Sequence, residues 1–254
     1  MQHIAMISHG KDSLAMLEAI KILGLPLDRI ITVDIWATPT IRGELPEMVD
    51  FKERADKKIF ERYGVRVEHW KSLRSFEEQF YEVIQNGKHA GDIYGYPQTV
   101  HAWCNDRLKM RPLEMLKNIC GVRYLGIASD ETERIVRQKG KENVVLPLVK
   151  LGWAEKECYE FCERNGLLAP NYKNSFRDGC WFCPKQPIEQ LRLLRKNNRD
   201  LWELMLKWDK DSPVPFKPDG HTVHDFDKRF QAEEKGLVPV DRKFRWNMLE
   251  AVQE

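Results

Sequence analysis

The sequence predicts an α/β fold with a doubly wound, mostly parallel sheet, followed by a helical C-terminal extension. Two observations predict it, the alternation of two apolar patterns and the length of the chain. Short apolar runs suited to buried strands alternate, through the first half of the chain, with stretches whose apolar residues recur at helical spacing. Strands that alternate with helices of this length are joined as parallel neighbours by right-handed crossovers. The 254 residues suffice for one such domain with a smaller helical appendage.

Three strands and two helices are predicted in the N-terminal part. Residues 4–7 form an apolar run fit for a buried strand, and apolar residues then recur at helical spacing until Gly24. Residues 29–34 predict a second strand that ends on an acid, residues 46–63 a helix, and residues 65–68 a third strand. This order is typical of the first half of a doubly wound sheet.

The later segments are less regular. The remaining predicted elements are an irregular loop at 86–103, a helix at 112–118, strands at 122–128 and 144–148, a helix at 155–165 and one long helix at 187–208. Pro213, Pro215 and Pro218 predict a linker that leads into short helices. We therefore expect a main domain over residues 1–185 and a mainly helical extension over residues 186–254.

Composition argues against several classes of protein. A net charge of +2 does not produce the chain-wide basic field of many nucleic-acid-binding proteins. No stretch approaches the roughly 18 apolar residues of a membrane span, and no secretory leader is evident. We expect a cytoplasmic protein with no membrane partner; its oligomeric state and its sulfur or electron donor are left open. The six cysteines then serve as core thiols, metal ligands or redox groups, and Cys158 and Cys162, four apart on a predicted helix, are expected in the core.

The first apolar strand ends in a polar loop that passes directly into a helix. The loop consists of Ser8, His9, Gly10, Lys11, Asp12 and Ser13. Such a turn directs backbone N–H groups and the positive end of the helix dipole at one place, where anions bind. Gly10 permits close backbone approach, Lys11 can neutralise charge, and Asp12 can hold Mg²⁺ or cap the helix. The alternative is an ordinary turn with Asp12 or Ser13 as N-cap, and the spacing is not that of the Walker loop.

This loop resembles the PP-loop, Ser-x-Gly-x-Asp-Ser, of the ATP pyrophosphatase or adenine nucleotide alpha hydrolase superfamily. Further segments, in the same order, resemble the phosphoadenosine phosphosulfate (PAPS) reductase family within it. They are Asp34 with Pro46-Glu47, Cys104 with Lys109 and Pro112, Gly126 with Glu131 and Arg134, and Gly179-Cys180 with Cys183-Pro184. The chain departs from the family pattern where Ile35-Trp36 replaces Thr-Gly and where Ala128 replaces a common Arg. The resemblance covers residues 1–185.

The resemblance implies a Rossmann-like fold and an enzyme that binds ATP with Mg²⁺ and cleaves it between the α and β phosphates. It assigns binding of the adenine nucleotide to Ser8, His9, Gly10, Lys11, Asp12, Ser13, Asp34 and Gly126, and catalysis to Lys11, Asp12, Lys109 and Arg134. Lys109 and Arg134 would face oxygens of the substrate or of the α-phosphate. The alternative for these two residues is a solvated surface charge.

Cys180 and Cys183 form a CxxC segment, whose two thiolates suit a zinc ion or an iron–sulfur centre. Cys104 is a third candidate ligand. The resemblance implies a 4Fe-4S cluster, with zinc as the alternative. For the fourth ligand Cys120 is the first candidate, although its place before an apolar strand also fits a core thiol. An open iron position that accepts an external sulfur species is the other option.

Three functions are compatible with these residues. The preferred function is that of an ATP-dependent enzyme that adenylates an acceptor and then transfers sulfur to it at the cysteine site. A sulfonucleotide reductase is disfavoured, because no cysteine follows Cys183 to act as the C-terminal nucleophile of such enzymes. Those reductases also tend to lose the Asp-Ser pair that is present here as Asp12 and Ser13. The third function is that of a non-catalytic nucleotide sensor.

The acceptor is expected to be a small molecule or a nucleic acid. A nucleic acid would require a basic surface, and the segment 192–202 offers candidate phosphate contacts at Arg192, Arg195, Lys196 and Arg199. Most runs of this kind are merely solvated helix faces, so the small-molecule alternative stays open.

Overall fold

In the computed structural model, the described residues are 1–98, 102–173, 179–241 and 243–251, without the side chains of Lys117, Asn171 and Lys173. The chain divides into two compact units. The sheet unit comprises Met1–Ser75 and Asn105–Cys180, and the helical unit comprises Phe76–Cys104 and Trp181–Glu254. This division differs from the boundary expected after residue 185, because the segment 76–104 belongs to the helical unit.

The sheet unit is built around a five-stranded sheet. Its strands are β1 (Gln2–Ile7), β2 (Arg29–Asp34), β3 (Val67–Lys71), β4 (Gly121–Leu125) and β5 (Val144–Val145). They lie in the order β3-β2-β1-β4-β5, and each neighbouring pair is parallel. The predicted α/β fold with a parallel sheet is therefore confirmed.

Helices cover the sheet and make up much of the helical unit. They are α1 (Lys11–Ile22), α2 (Pro46–Tyr63), α3 (Phe76–Phe80), α4 (Arg111–Leu113), α5 (Thr132–Val136), α6 (Pro147–Leu151), α7 (Glu155–Arg164), α8 (Ile188–Asn197), α9 (Arg199–Asp211) and α10 (Val223–Glu234). A π-helix at Asn105–Met110 precedes α4, and 3₁₀ turns occupy Glu114–Asn118, Pro170–Lys173 and Trp246–Met248. Within the described ranges, no helix has both the length and the apolar character that crossing a bilayer requires.

The sheet is buried on both faces. Along β1, Ala5 and Ile7 belong to the cluster that contains the buried residues of α1, α2 and α7, whereas Ile4 packs with Ile31 and Leu116 in a separate cluster. Successive strand residues point to opposite faces, so this alternation places packed side chains on either side of the sheet. Burial on both faces explains the nearly continuous apolar character of the central strands.

Among the predicted elements whose bounds differ from the observed ones, three differ for local reasons that the structure shows. The strand predicted at 144–148 stops at Val145, because Pro147 begins α6, where its fixed φ suits the first helical position. The helix predicted at 187–208 is divided at Asn198, whose φ of −133° and ψ of 67° are not helical. The helix predicted at 112–118 continues from a π-helix and ends in a 3₁₀ turn.

An aromatic cluster joins the two segments of the helical unit. The ring centroid of Phe76 lies 4.2 Å from that of Phe182 and 5.2 Å from that of Trp208. Trp181 stacks on Trp208 with ring planes 10° apart. Large buried rings contribute strongly to packing, so these contacts explain why the segment 76–104 belongs with the residues after Cys180.

Substitution of Tyr96 tests this core. Its ring is 1% exposed, and its hydroxyl donates to the carbonyl oxygen of Met205 at 3.0 Å. Tyr96→Phe should lower the free energy of unfolding by about 1 kcal/mol, since one buried hydrogen bond is lost. Thermal denaturation measures the effect, with Tyr159→Phe, at a residue that is 37% exposed, as the control that should melt as the wild type does.

Candidate functional site

The loop between β1 and α1 lies where the strand order of the sheet reverses. From β1 the chain proceeds to β2 on one side, while β4 pairs with the other side of β1. The carboxyl ends of strands that diverge in this way border a crevice, which is the usual ligand site of open parallel sheets. The loop that leaves β1 and the segment that leaves β4 therefore meet at the expected place for a ligand.

The shape of the loop is fixed by its own residues. Gly10 is the N-cap of α1, with an extended backbone and no side chain that could cap the helix. The Ser13 hydroxyl donates to the carbonyl oxygen of Gly10 at 2.8 Å and accepts from the N–H of Ser8 at 3.2 Å. Ser13 thus stabilises the loop through these two hydrogen bonds. It does not have the N-cap position that was considered for it, since Gly10 occupies that position.

Gly126, directly after β4, touches the first turn of α1. A Cβ atom at this position would lie 2.7 Å from Ser13 Cα and 2.9 Å from the carbonyl oxygen of Asp12. Contacts this short are not tolerated between a Cβ and backbone atoms, so the position requires glycine. The structure thereby brings together two segments that the sequence assigned to the nucleotide site, more than a hundred residues apart along the chain.

Lys11 and Asp12 form an ion pair at the start of α1. Lys11 Nζ lies 2.7 Å from Asp12 Oδ1 and 3.2 Å from Glu155 Oε2 at the start of α7. Burial opposes the charge of Lys11, but the two carboxylates raise its pKa above the ordinary value. Burial raises the pKa of Asp12, and Glu155 and Glu131 raise it further, while Lys11 lowers it. The carboxylates of Asp12 and Glu155 therefore share the single ammonium group of Lys11.

The other two residues assigned to catalysis are exposed. Arg134 Nη1 lies 2.5 Å from Glu131 Oε1, and Glu131 also accepts from the backbone N–H of Ala128 at 3.1 Å. Glu131 therefore stabilises the turn after β4 and holds Arg134 next to it by an ion pair. Lys109 lies exposed on the π-helix at Asn105–Met110, a helix type that is frequent at functional sites.

Asp34, at the end of β2, is the centre of a buried ion cluster. Its carboxylate accepts from Arg42 at 2.8 Å, from Lys52 at 3.1 Å and from His69 at 2.8 Å. Burial alone would raise the pKa of Asp34, but these three partners hold it well below its usual range. Both oxygens are engaged by side chains of the sheet unit. Asp34 therefore has a structural charge-pairing role, and its direct contact with the nucleotide stays a prediction.

The same cluster reaches the loop. His69 Nε2 lies 2.8 Å from Asp56 Oδ2, and Asp56 Oδ1 lies 2.8 Å from Nε2 of His9. His9 is fully buried, and its φ of 60° is the one positive value that a non-glycine residue adopts in the described part of the chain. Asp56, His69 and Lys52 were not predicted as site residues. No motif includes them, and only the pairing of β2 with β3 and the packing of α2 bring them together.

Two cysteines, one helical turn apart on α7, are buried under the start of α1. Cys158 and Cys162 belong to the main hydrophobic cluster, as predicted. The Cys162 thiol donates to the carbonyl oxygen of Lys11 at 3.3 Å, and burial raises its pKa to about 12. Burial, with the nearby Asp12 carboxylate, also raises the pKa of Cys158. Thiols held in the protonated form are poor nucleophiles and poor metal ligands, so this pair is structural.

Cys180 lies beside the loop that follows β2. A Cβ atom on Gly43 would lie 3.3 Å from Cys180 Sγ and 2.8 Å from the carbonyl oxygen of Ile35, the residue after β2. Cys180 is thus placed at the carboxyl edge of the sheet. Cys120, in contrast, is exposed and directly precedes β4, at the amino edge. Because the two edges are a strand length apart, we leave Cys120 out of the proposed ligand set.

The other two candidate ligands, Cys104 and Cys183, are half-buried thiols of the helical unit. Among the residues that the structure describes, no group of three or more His, Cys, Asp or Glu side chains is arranged to hold a metal ion. An iron–sulfur or zinc centre therefore stays a proposal that rests on the CxxC segment.

The basic run of α8 and α9 is largely paired with acids of the helical unit. The pairs are Arg192 with Glu233 at 2.8 Å, Arg195 with Asp227 at 2.7 Å and with Glu234 at 2.6 Å, and Arg199 with Glu203 at 3.1 Å. Arg195 is itself buried, whereas Lys196 is exposed. Paired and buried guanidinium groups do not present the row of accessible cations that phosphate contacts need. We therefore do not retain this run as a nucleic-acid surface.

Comparisons with known proteins give no match in sequence and a low similarity in structure. No family model and no curated protein matches it. Among solved structures, the U34-tRNA thiolase NcsA from Methanococcus maripaludis with its 4Fe-4S cluster is similar over 95% of this chain and 74% of that chain, with 14% identity and a TM-score of 0.40. A likeness at this level carries no argument about function, which we base on the residues of this chain.

Substitution of Gly126 tests the contact between β4 and α1. Gly126→Ala should destabilise the protein by about 1–3 kcal/mol, because the added methyl group overlaps the backbone of Asp12 and Ser13. Chemical denaturation measures this change. Gly24→Ala serves as the comparison, because Gly24 has a φ of +61° with no atom within 4 Å and so reports backbone strain alone. An equal or smaller loss in Gly126→Ala would contradict the assignment.

Proposed function

We propose that this chain binds ATP at the loop of residues 8–13 and cleaves it between the α and β phosphates to adenylate an acceptor. The observation that carries the proposal is the contact of Gly126 with the first turn of α1. It supports a crevice between β1 and β4 that is lined by the helix N-terminus, Lys11 and Asp12. Backbone N–H groups at such a helix start favour phosphate oxygens.

Each loop residue has a role in this proposal. Lys11 neutralises charge that develops on the departing pyrophosphate, and Gly10 lets phosphate oxygens approach the backbone. Asp12, with the acids around it, would hold Mg²⁺, which supplies charge neutralisation at the phosphates. When nucleotide arrives, Lys11 exchanges its contact with Glu155 for phosphate oxygens. Lys109 and Arg134, both exposed, are available to the acceptor or to the α-phosphate.

The proposed reaction consists of two displacements. In the first, an oxygen of the acceptor forms a bond to the α-phosphorus while the bond to the bridging oxygen breaks, and pyrophosphate leaves. In the second, the sulfur of a sulfide donor bonds to the activated carbon while the bond from that carbon to the AMP oxygen breaks, and AMP leaves. The protein contributes alignment and fixed charges to both steps.

The cysteine site completes the proposal. We propose that Cys180, Cys183 and Cys104 hold a 4Fe-4S cluster, or zinc as the alternative, and that sulfur transfer takes place near it. The CxxC segment and the place of Cys180 at the carboxyl edge of the sheet support this. The acceptor is a nucleic acid or a small molecule. A sulfonucleotide reductase would release sulfite from PAPS, and a sensor would bind ATP without turnover, so both alternatives give different products in the same assays.

Asp12→Ala tests the nucleotide chemistry. Removal of the carboxylate should reduce pyrophosphate release from ATP at least about 100-fold, because a metal-holding charge at the reacting phosphates is lost. The assay is performed with and without RNA and DNA as acceptors. The melting temperature should stay within a few degrees of the wild-type value.

Asp50→Ala, at an exposed aspartate of α2, is the matched control and should retain full turnover. Full pyrophosphate release by Asp12→Ala would contradict the proposal. A folded wild-type protein that binds ATP and releases no pyrophosphate would favour the sensor.

Anaerobic purification tests the cysteine site. The wild-type protein should contain iron and sulfide, and Cys180→Ser and Cys183→Ser should each lose most of the bound metal, because thiolates are the ligands that such centres require. Cys120→Ser, at an exposed residue on the opposite edge of the sheet, should keep it. Iron, sulfide and zinc analysis decides between the cluster and zinc, and equal metal contents in all four proteins would refute the ligand assignment.

A further inference from the structure

We infer that His69 and Asp56 are positioning residues for the proposed nucleotide loop, which they hold in its binding conformation through His9. This inference rests on the proposed function and goes beyond it, since neither residue belongs to the loop or to a recognised motif. The four residues His9, Asp56, His69 and Asp34 are called the polar relay below.

The polar relay is continuous from the loop to the end of β2. Its three links are each 2.8 Å long: His9 Nε2 to Asp56 Oδ1, Asp56 Oδ2 to His69 Nε2, and His69 Nδ1 to Asp34 Oδ2. Both nitrogens of His69 and both oxygens of Asp56 are used. Asp34 is in turn held by Arg42 and Lys52. A chain in which each group fixes the next leaves little freedom to its last member, His9.

His9 needs such support, because it is strained and incompletely paired. Its φ of 60° is unfavourable for a residue with a side chain. Its ring is fully buried, and among the described residues its Nδ1 has no hydrogen-bond partner. Strain and an unpaired buried atom both favour another conformation of the loop. The hydrogen bond that His9 Nε2–H donates to Asp56 Oδ1 opposes this change.

Asp56 also selects the tautomer of His9. Burial lowers the pKa of His9, so its ring is neutral near pH 7. Burial would raise the pKa of Asp56, but the hydrogen bonds from His69 and His9 lower it, so this carboxylate is ionised and can only accept. The proton of His9 must then lie on Nε2, which leaves Nδ1 as an acceptor.

His69 is the member of the polar relay that can be switched by pH. The carboxylates of Asp34 on β2 and Asp56 on α2 raise its pKa to about 9, and burial opposes them. The ring of His9 lies 6.0 Å away, and Lys52 and Arg42 act on His69 through Asp34. The pKa of His69 is raised above the ordinary value of 6.5, so protonated His69 bridges both carboxylates fully below pH 6.5. The bridge is lost as the pH rises through about 9.

The first test is the pH profile of nucleotide binding by the wild-type protein. Calorimetry with a non-hydrolysable ATP analogue and Mg²⁺ should show constant affinity up to about pH 8 and a loss of about ten-fold by about pH 10, a coupling of ordinary size. The pKa of Lys11 is raised above its ordinary value, and phosphate groups ionise near pH 6, so neither accounts for a midpoint near 9.

The second test uses variants. At pH 7, His69→Gln and Asp56→Ala should each bind the analogue about ten-fold more weakly, and neither should show a midpoint near pH 9. The double variant should lose no more than either single variant, because the polar relay acts as a unit. His3→Gln is the control. His3 pairs with Asp28 at 3.0 Å and lies at the opposite end of β1 from the loop. The His3→Gln variant should therefore bind the analogue with the affinity and pH profile of the wild type.

The outcomes separate this inference from the proposed function. If the wild-type protein binds no adenine nucleotide at any pH, the proposed function fails, and this inference fails with it. If the wild-type protein binds nucleotide with a flat pH profile, or if folded variants keep the wild-type affinity and midpoint, only the inference is wrong. Should the variants fail to fold, the wild-type profile alone decides. Nitrogen-15 NMR of the His9 ring should show the Nε2–H tautomer in the wild type, and an Nδ1–H tautomer would also refute the inference.

Discussion

The close approach of β4 to the start of α1 is the constraint on which the sheet unit depends. Parallel pairing on both sides of β1 makes its carboxyl end the point where chain segments diverge. Gly126 lets the segment after β4 contact Asp12 and Ser13 without a side chain between them. The polar loop, the first turn of α1 and the turn after β4 are therefore one packed structure. The proposed nucleotide site depends on that geometry.

The second constraint on the sheet unit is that its buried charged and polar side chains need partners. A carboxylate, an ammonium group and an imidazole removed from water destabilise a fold unless each has a partner. Asp34, Lys52 and His9 are all buried, and all are paired within one network that runs beneath the loop. Removing one member would leave its partners buried and unpaired, so the network favours a single arrangement of the strands, α2 and the loop. Such specificity suits the alignment of phosphates that we propose for the loop.

The helical unit follows a different principle. Its segments are held by packed aromatic rings, as in the contacts of Phe76 with Phe182 and Trp208, and by ion pairs such as that of Arg195 with Asp227. The arginines of this unit thus contribute to its own packing. From the sequence alone, these arginines suggest a surface for a partner. The acids that pair with Arg192 and Arg195 lie some thirty to forty residues away along the chain, so no local pattern reveals them.

The sequence by itself determined the local features: the alternation of strands and helices, the polar turn around Gly10, and the helix over residues 46–63. These depend on periodicity, backbone freedom and capping, which act within a few residues of each other. Only the tertiary structure decided that His69 bridges Asp34 and Asp56, that the segment 76–104 joins the helical unit, and that Cys120 lies on the other edge of the sheet from Cys180. Strand register and helix packing set such contacts, and neither can be read from a local pattern, because each depends on partners distant along the chain.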